Sequence, residues 1–190
     1  SQLLAKIKNL TQSKFVRSVV LMAGGAAGAQ AITMAFAPII TRMYGPESFG
    51  LLGTFMAILG VATPVAALAY PIAIVLPKSD DDAKGLAKLS MRIALIIALA
   101  FSLILLVAGD QIAAVLGMQA IASFMLLIPL AMFFSALQQI MQQWLIRKKQ
   151  FKVMARIAVS QSFIVNGSKI GVGWFWPIGP VLIILATLGN

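Results

Sequence analysis

Long uncharged stretches alternate with short polar islands along this 190-residue chain, and the lengths of those stretches dictate the first assignment of structure. A bilayer's hydrocarbon core needs about 20 apolar residues per helix. Residues 18–41 meet that length as a first helix, and 49–77 form a long second helix that Pro64 and Pro71 should kink. Residues 93–109 make a short third helix. The run over 111–146 exceeds one span, so it divides into an interfacial piece around 113–118 and a fourth helix over 121–141. A fifth helix covers 157–176; Pro177, Gly179 and Pro180 then turn the chain into a sixth over 181–190. Ahead of all these, the basic segment 1–17 carries Leu3, Ile7, Leu10 and Phe15 at a spacing that suits an amphipathic helix lying on the bilayer. The fold class that follows is all-α, a polytopic transmembrane helix bundle.

Charge orients this bundle. All of the 15 basic residues except Arg42 and Lys169 fall on alternate islands: the first precedes helix 1, the second runs from Lys78 to Arg92, and the third from Arg147 to Arg156. The intervening islands hold only Arg42, Glu47 and Asp110. Because the basic flank stays cytoplasmic, the amino terminus is expected in the cytoplasm and the chain in a bacterial inner membrane. With 61% hydrophobic and 11% charged residues, the composition lies far from that of soluble domains. The net charge of +10 sits beside the spans, so anionic lipid headgroups are the expected counterions and nucleic acid is not a partner. Neither cysteine nor histidine occurs, which leaves a transition metal without its usual ligands; no metal and no cofactor are expected. The small-residue triplet Ala29-Gln30-Ala31 resembles a signal-cleavage site, but the uncharged run continues to Thr41, so a retained helix is the better reading. Ser1 replaces an initiator Met and Asn190 falls inside an apolar run, as expected for a piece of a longer polypeptide.

Several polar residues need only helix-end chemistry to explain them. Gly45-Pro46-Glu47 places a flexible residue before a proline and an acid in the first turn of helix 2. Ser79 with Asp82 makes a capping-box-like start for helix 3, where Asp80, Asp81 and Asp82 suit the N-terminal dipole. Three adjacent aspartates cannot all face one ion from a helix, so a metal site there is the weaker reading.

Helix 5 carries the most suggestive constellation. At 100° per residue, Ser162, Asn166 and Lys169 share one face, and Gly167 and Gly171 lie nearly opposite. If those glycines seat a neighbouring helix, Lys169 turns toward a hydrated interior, where an ionisable residue marks a pathway. The alternative leaves Lys169 snorkelling at the outer interface. In helix 1, Gly24 and Gly28 suit packing, with Gln30 and Thr33 on a shared face. Ser135, Gln138, Gln139, Gln142 and Gln143 enrich the cytoplasmic end of helix 4, where they either line a vestibule or simply sit at the interface. Trp174, Phe175 and Trp176 read as an outer aromatic belt and Trp144 as its inner counterpart.

The segment Pro38-Ile39-Ile40-Thr41-Arg42-Met43-Tyr44-Gly45-Pro46-Glu47-Ser48-Phe49-Gly50 closely resembles the first loop of bacterial polysaccharide biosynthesis proteins of the O-antigen flippase type. Gly24-Gly25-Ala26-Ala27-Gly28-Ala29-Gln30 is similar to their glycine-rich helix 1, and Ala73-Ile74-Val75-Leu76-Pro77-Lys78 to the end of their helix 2. The likeness covers residues 15–95; beyond them only the helix pattern agrees. It implies the multidrug, oligosaccharidyl-lipid and polysaccharide exporter superfamily, whose members have about twelve helices in two six-helix lobes. This chain would be the first lobe, five helices and the start of a sixth. The implied activity is not enzymatic: it is flipping of undecaprenyl-pyrophosphate-linked oligosaccharides from the cytoplasmic to the periplasmic leaflet by alternating access, alongside membrane lipids and a polysaccharide polymerase complex. Where many relatives show Arg-Tyr-Glu near the end of helix 2, this chain has Ala69-Tyr70-Pro71, so no charge pair carries over there.

A pyrophosphate headgroup needs cations, which makes Lys169 and Arg42 candidate binding residues, with Asn166 and Ser162 beside the former. For Arg42 a position at a helix C-terminus is explanation enough. A multidrug exporter would be expected to carry acids inside its helices, and Asp110 lies at a helix end. A membrane glycosyltransferase would need catalytic acids on an aqueous loop, for which only Asp80, Asp81 and Asp82 qualify. A non-transporting scaffold of a polysaccharide assembly complex is the third alternative.

Overall fold

The computed structural model describes residues 14–67 and 70–189, so most of the basic amphipathic segment expected over 1–17 lies outside the described residues. Among the described residues six α-helices and one 3-10 turn follow one another, with no strand: α1 (Lys14–Ala67), α2 (Tyr70–Ala73), α3 (Asp80–Val115), the 3-10 turn (Gln119–Phe124), α4 (Leu127–Arg147), α5 (Phe151–Gly173) and α6 (Gly179–Leu188). Two of them, over Phe15–Val65 and Asp80–Val115, are long and apolar enough to cross a membrane.

Expected helices 1 and 2 merge into α1, which breaks at one place. Gly45 has φ 74 and ψ 169, and separates a first arm ending at Tyr44 from a second beginning at Pro46. A residue before proline is driven from the helical region, and only glycine adopts this positive φ without strain. The backbone keeps helical dihedrals through Pro38 and Pro64. Leu68 and Ala69, just ahead of the kink expected at Pro71, lie outside the described residues, and Pro71 itself falls within α2.

Helix α3 starts thirteen residues earlier than the apolar stretch suggested, at Asp80 rather than 93. Its N-cap is Ser79, whose hydroxyl accepts from the Asp82 amide at 3.1 Å and donates to the Asp82 carboxylate at 2.6 Å. That cap starts a helix whether its first turns face lipid or water. Residues 113–115, expected in an interfacial piece, continue α3. The stop comes at Gly117, φ 66, where Met118 N–H reaches Ala113 O at 2.8 Å and Gly117 N–H reaches Ala114 O at 3.2 Å. Helix α5 likewise begins at Phe151, before the expected 157, and ends at Gly173.

Three apolar clusters hold these elements. Phe55 and Leu59 of the second arm meet Leu105, Ile128, Met132 and Ile183 in the main core. Ile40 and Tyr44 pack with Leu182 around the break in α1, and Ile74, Ala83 and Ile140 close the basic end with Trp144 against them. Elsewhere large apolar side chains face outward. Along α3, Ile96, Leu99, Leu103, Leu106 and Val107 are each more than 60% exposed, a continuous apolar face suited to an apolar surrounding rather than to water.

Candidate functional site

Helix α5 lies against the first arm of α1, and small residues allow the approach. A Cβ on Gly25 would fall 2.6 Å from the Ala155 Cα, and one on Gly28 would lie 3.3 Å from the Val159 side chain. Gly24, one residue away, faces open space. The glycine pair expected at 24 and 28 is therefore 25 and 28, because the phase of the contact is decided by where α5 lies. Contacts advance in step, Gly25 with Ala155 and Gly173 with Tyr44, so the two helices run parallel.

Gly167 and Gly171 of α5 do not seat a neighbour: nothing comes within 4 Å of a Cβ at either. The polar face takes the contact instead. Ser162 donates to Ala29 O at 2.7 Å, Thr33 Oγ1 lies 3.0 Å from Ser162 Oγ, and Asn166, only 5% exposed, donates to Ser162 O at 2.8 Å and to Thr33 Oγ1 at 3.3 Å. Polar groups in an apolar medium are stabilised by meeting each other, which outweighs the smooth glycine face as a docking surface.

Beyond this seam a cavity of about 760 Å³ opens between the first arm, α4, α5 and the end of α6. On α5 its lining extends from Met154 to Lys169, roughly 22 Å at 1.5 Å per residue. Its apolar walls include Met22, Leu137, Met141 and Leu145, and its polar groups are Gln30, Thr33, Gln138, Gln142, Gln161, Ser162, Asn166 and the half-buried Lys169. Three of the four residues singled out from sequence thus converge, Lys169, Asn166 and Ser162. Arg42 does not join them; it is exposed near the break in α1 and lies outside the lining. Of the helix 4 polar residues, Gln138 and Gln142 face the cavity, and Ser135, Gln139 and Gln143 do not. Lys169 is the single charged side chain among the described lining residues.

Sequence reasoning passed over Gln161 and Tyr44. Gln161 accepts from Gln138 Nε2 at 3.3 Å and donates to Gly189 O, linking α4, α5 and the end of α6 across one wall. Tyr44, 5% exposed, donates its hydroxyl to Lys169 O at 2.6 Å. An uncharged amide in an apolar helix was the available signal for Gln161; none pointed to the tyrosine's partner.

At the basic end the aspartates take structural roles. Arg147, whose side chain is 10% exposed, reaches Pro77 O at 2.6 Å, Ser79 O at 3.0 Å and Asp80 Oδ1 at 3.1 Å, and Lys148 pairs with the other Asp80 oxygen. Hydrogen bonding from Lys148, then from Arg147, holds the Asp80 carboxyl below its ordinary range. Among the described residues no three His, Cys, Asp or Glu side chains converge as metal ligands.

A family model described as polysaccharide biosynthesis protein matches residues 39–179, well over half of the chain. The chain belongs to the polysaccharide biosynthesis protein family. No curated protein and no solved structure matches it. Within this polysaccharide biosynthesis protein the matched region includes the break at Gly45, the Arg147 clamp and the cavity-facing parts of α4 and α5, including Lys169. The opposite wall, with Gln30 and Thr33, lies ahead of it. Membership together with the long apolar helices makes this a membrane protein of polysaccharide biosynthesis.

Proposed function

We propose that this membrane protein is a flippase for lipid-linked oligosaccharides, moving undecaprenyl-pyrophosphate-type repeat units from the cytoplasmic to the periplasmic leaflet by alternating access, without making or breaking a bond. In this reading the chain is the first lobe of a two-lobe transporter of the bacterial inner membrane, with its amino terminus cytoplasmic, serving lipopolysaccharide O-antigen or a similar polymer beside a polymerase complex. The observation that carries it is the composition of the cavity: neutral amides and hydroxyls that can hydrogen-bond sugar, and one cation, Lys169, in the wall. Sugar hydroxyls are met by side chains that both donate and accept, and a pyrophosphate by the charge-assisted hydrogen bonds of an ammonium. The same lining disfavours a cationic drug as cargo.

The test is export of surface polysaccharide from cells carrying the full-length protein, scored at matched membrane abundance. Lys169→Gln and Lys169→Ala should lower export, and Lys169→Arg should retain part of it as a cation of different geometry. Arg42→Ala, outside the cavity, should have the smaller effect. Wild-type export by Lys169→Ala without overproduction would remove the cavity cation from the mechanism.

A further inference from the structure

We propose that Tyr44 is a positioning residue for Lys169, an inference that rests on the cavity reading above. Lys169 stands in the last full turn of α5, which ends at Gly173. Terminal turns of a helix fray, because their carbonyls have lost their helical partners. The helical ladder uses one lone pair of the Lys169 carbonyl, and the Tyr44 hydroxyl takes a second at 2.6 Å. This bond has a built seat. A Cβ on Gly173 would fall 2.5 Å from the Tyr44 hydroxyl and 2.7 Å from its ring, so the phenol occupies space that only glycine at 173 leaves open. Ile40 and Leu182 pack around Tyr44 in the same cluster.

The position of Tyr44 along α1 gives the bond a consequence beyond holding one turn. It is the final residue of the first arm, immediately before Gly45, where the helix breaks. Its hydroxyl ties the end of the first arm to the turn that presents the Lys169 ammonium, so the hinge at Gly45 begins where α5 is fastened. A change in the angle between the arms would move the second arm against this joined pair, with the cavity cation held on the first-arm side.

The experiment compares export by full-length Tyr44→Phe, Lys169→Gln and the double variant, each normalised to membrane abundance. Removing one hydroxyl while keeping the ring should lower export roughly 2- to 10-fold, the range of a single hydrogen bond. In the Lys169→Gln background the same change should add almost nothing, since coupled residues are not additive. Wild-type export by Tyr44→Phe alongside an impaired Lys169→Gln would overturn the positioning role and leave the cavity reading standing. Defects that multiply in the double variant would also overturn it. Wild-type export by Lys169→Gln would sink both. A per-molecule readout covers loss of abundance: reductive methylation of membranes, mapped by mass spectrometry, should label Lys169 faster in Tyr44→Phe, and exposed Lys152 of the same helix at an unchanged rate. Equal labelling of Lys169 in both proteins would refute the pin.

Discussion

We predict that Arg147→Ala frees residues 74–80 without unfolding the bundle. The guanidinium makes two well-formed bonds to loop carbonyls, 2.6 Å to Pro77 and 3.0 Å to Ser79, besides its contact with Asp80; the approaches to Ile74 O and Val75 O at 3.4 Å are too long to count for much. Hydrogen bonds from a charged donor contribute about 1.5–3 kcal/mol each, and carbonyls at the edge of water recover part of that when released, so the local loss should be about 2–4 kcal/mol. In hydrogen exchange of the protein in a lipid nanodisc this corresponds to loop amides exchanging roughly 30- to 700-fold faster. The reporting amides are Leu76, bonded to Ala73 O at 3.0 Å, and Ala83, bonded to Ser79 O at 3.3 Å. Arg147→Lys should recover only a fraction, because one ammonium cannot serve three acceptors fixed to the guanidinium fork. Exchange at Leu76 and Ala83 unchanged in Arg147→Ala would refute the clamp.

Three further outcomes are expected. The Asp80 carboxyl, held below its ordinary 3.8 by Lys148 and Arg147, adds stability that is full above that value and is lost as pH falls through its lower folded value; the unfolding midpoint of detergent-solubilised protein should change little on this account from pH 6 to 8, and Asp80→Asn should reduce the acid-side loss. Gly25→Ala should destabilise by about 1–3 kcal/mol, since the added methyl meets the Ala155 backbone, whereas Gly24→Ala meets nothing and should be neutral or slightly stabilising; thermal midpoints of the pair measure this, and equal effects would contradict the packing. If the basic islands are cytoplasmic, exposed Lys78→Cys should resist a membrane-impermeant thiol reagent in intact cells and exposed Glu47→Cys should react; the reverse pattern would invert the proposed topology.

Sequence was most informative where one local rule acts alone. Ser79 caps α3, Gly45 before Pro46 breaks α1, and the Ser162, Asn166 and Lys169 stripe lies on one face, as each residue's own chemistry requires. Apolar stretch length failed as a measure of helix length, because Lys84, Lys88 and Arg92 continue α3 beyond the lipid-like segment at no cost to its backbone bonds. Contacts between distant residues were the least legible. Gly25 differs from Gly24 by one residue and 100° of phase, a distinction that exists only once Ala155 lies against it. Arg147 read as one more positive charge of a cytoplasmic loop, since nothing near it in sequence points to carbonyls some 70 residues earlier.

The parallel pairing of the first arm with α5 also sets a timetable for synthesis. Ser162 and Asn166 lie 133 residues after the partners they bond, Ala29 and Thr33. At about 5–20 residues per second, roughly 7–27 seconds separate the emergence of the two faces. Throughout that interval the notch at Gly25 and Gly28 and the Thr33 hydroxyl have no α5 to meet, so the wall of the cavity is finished late, long after the core residues of the second arm and α3 have been made.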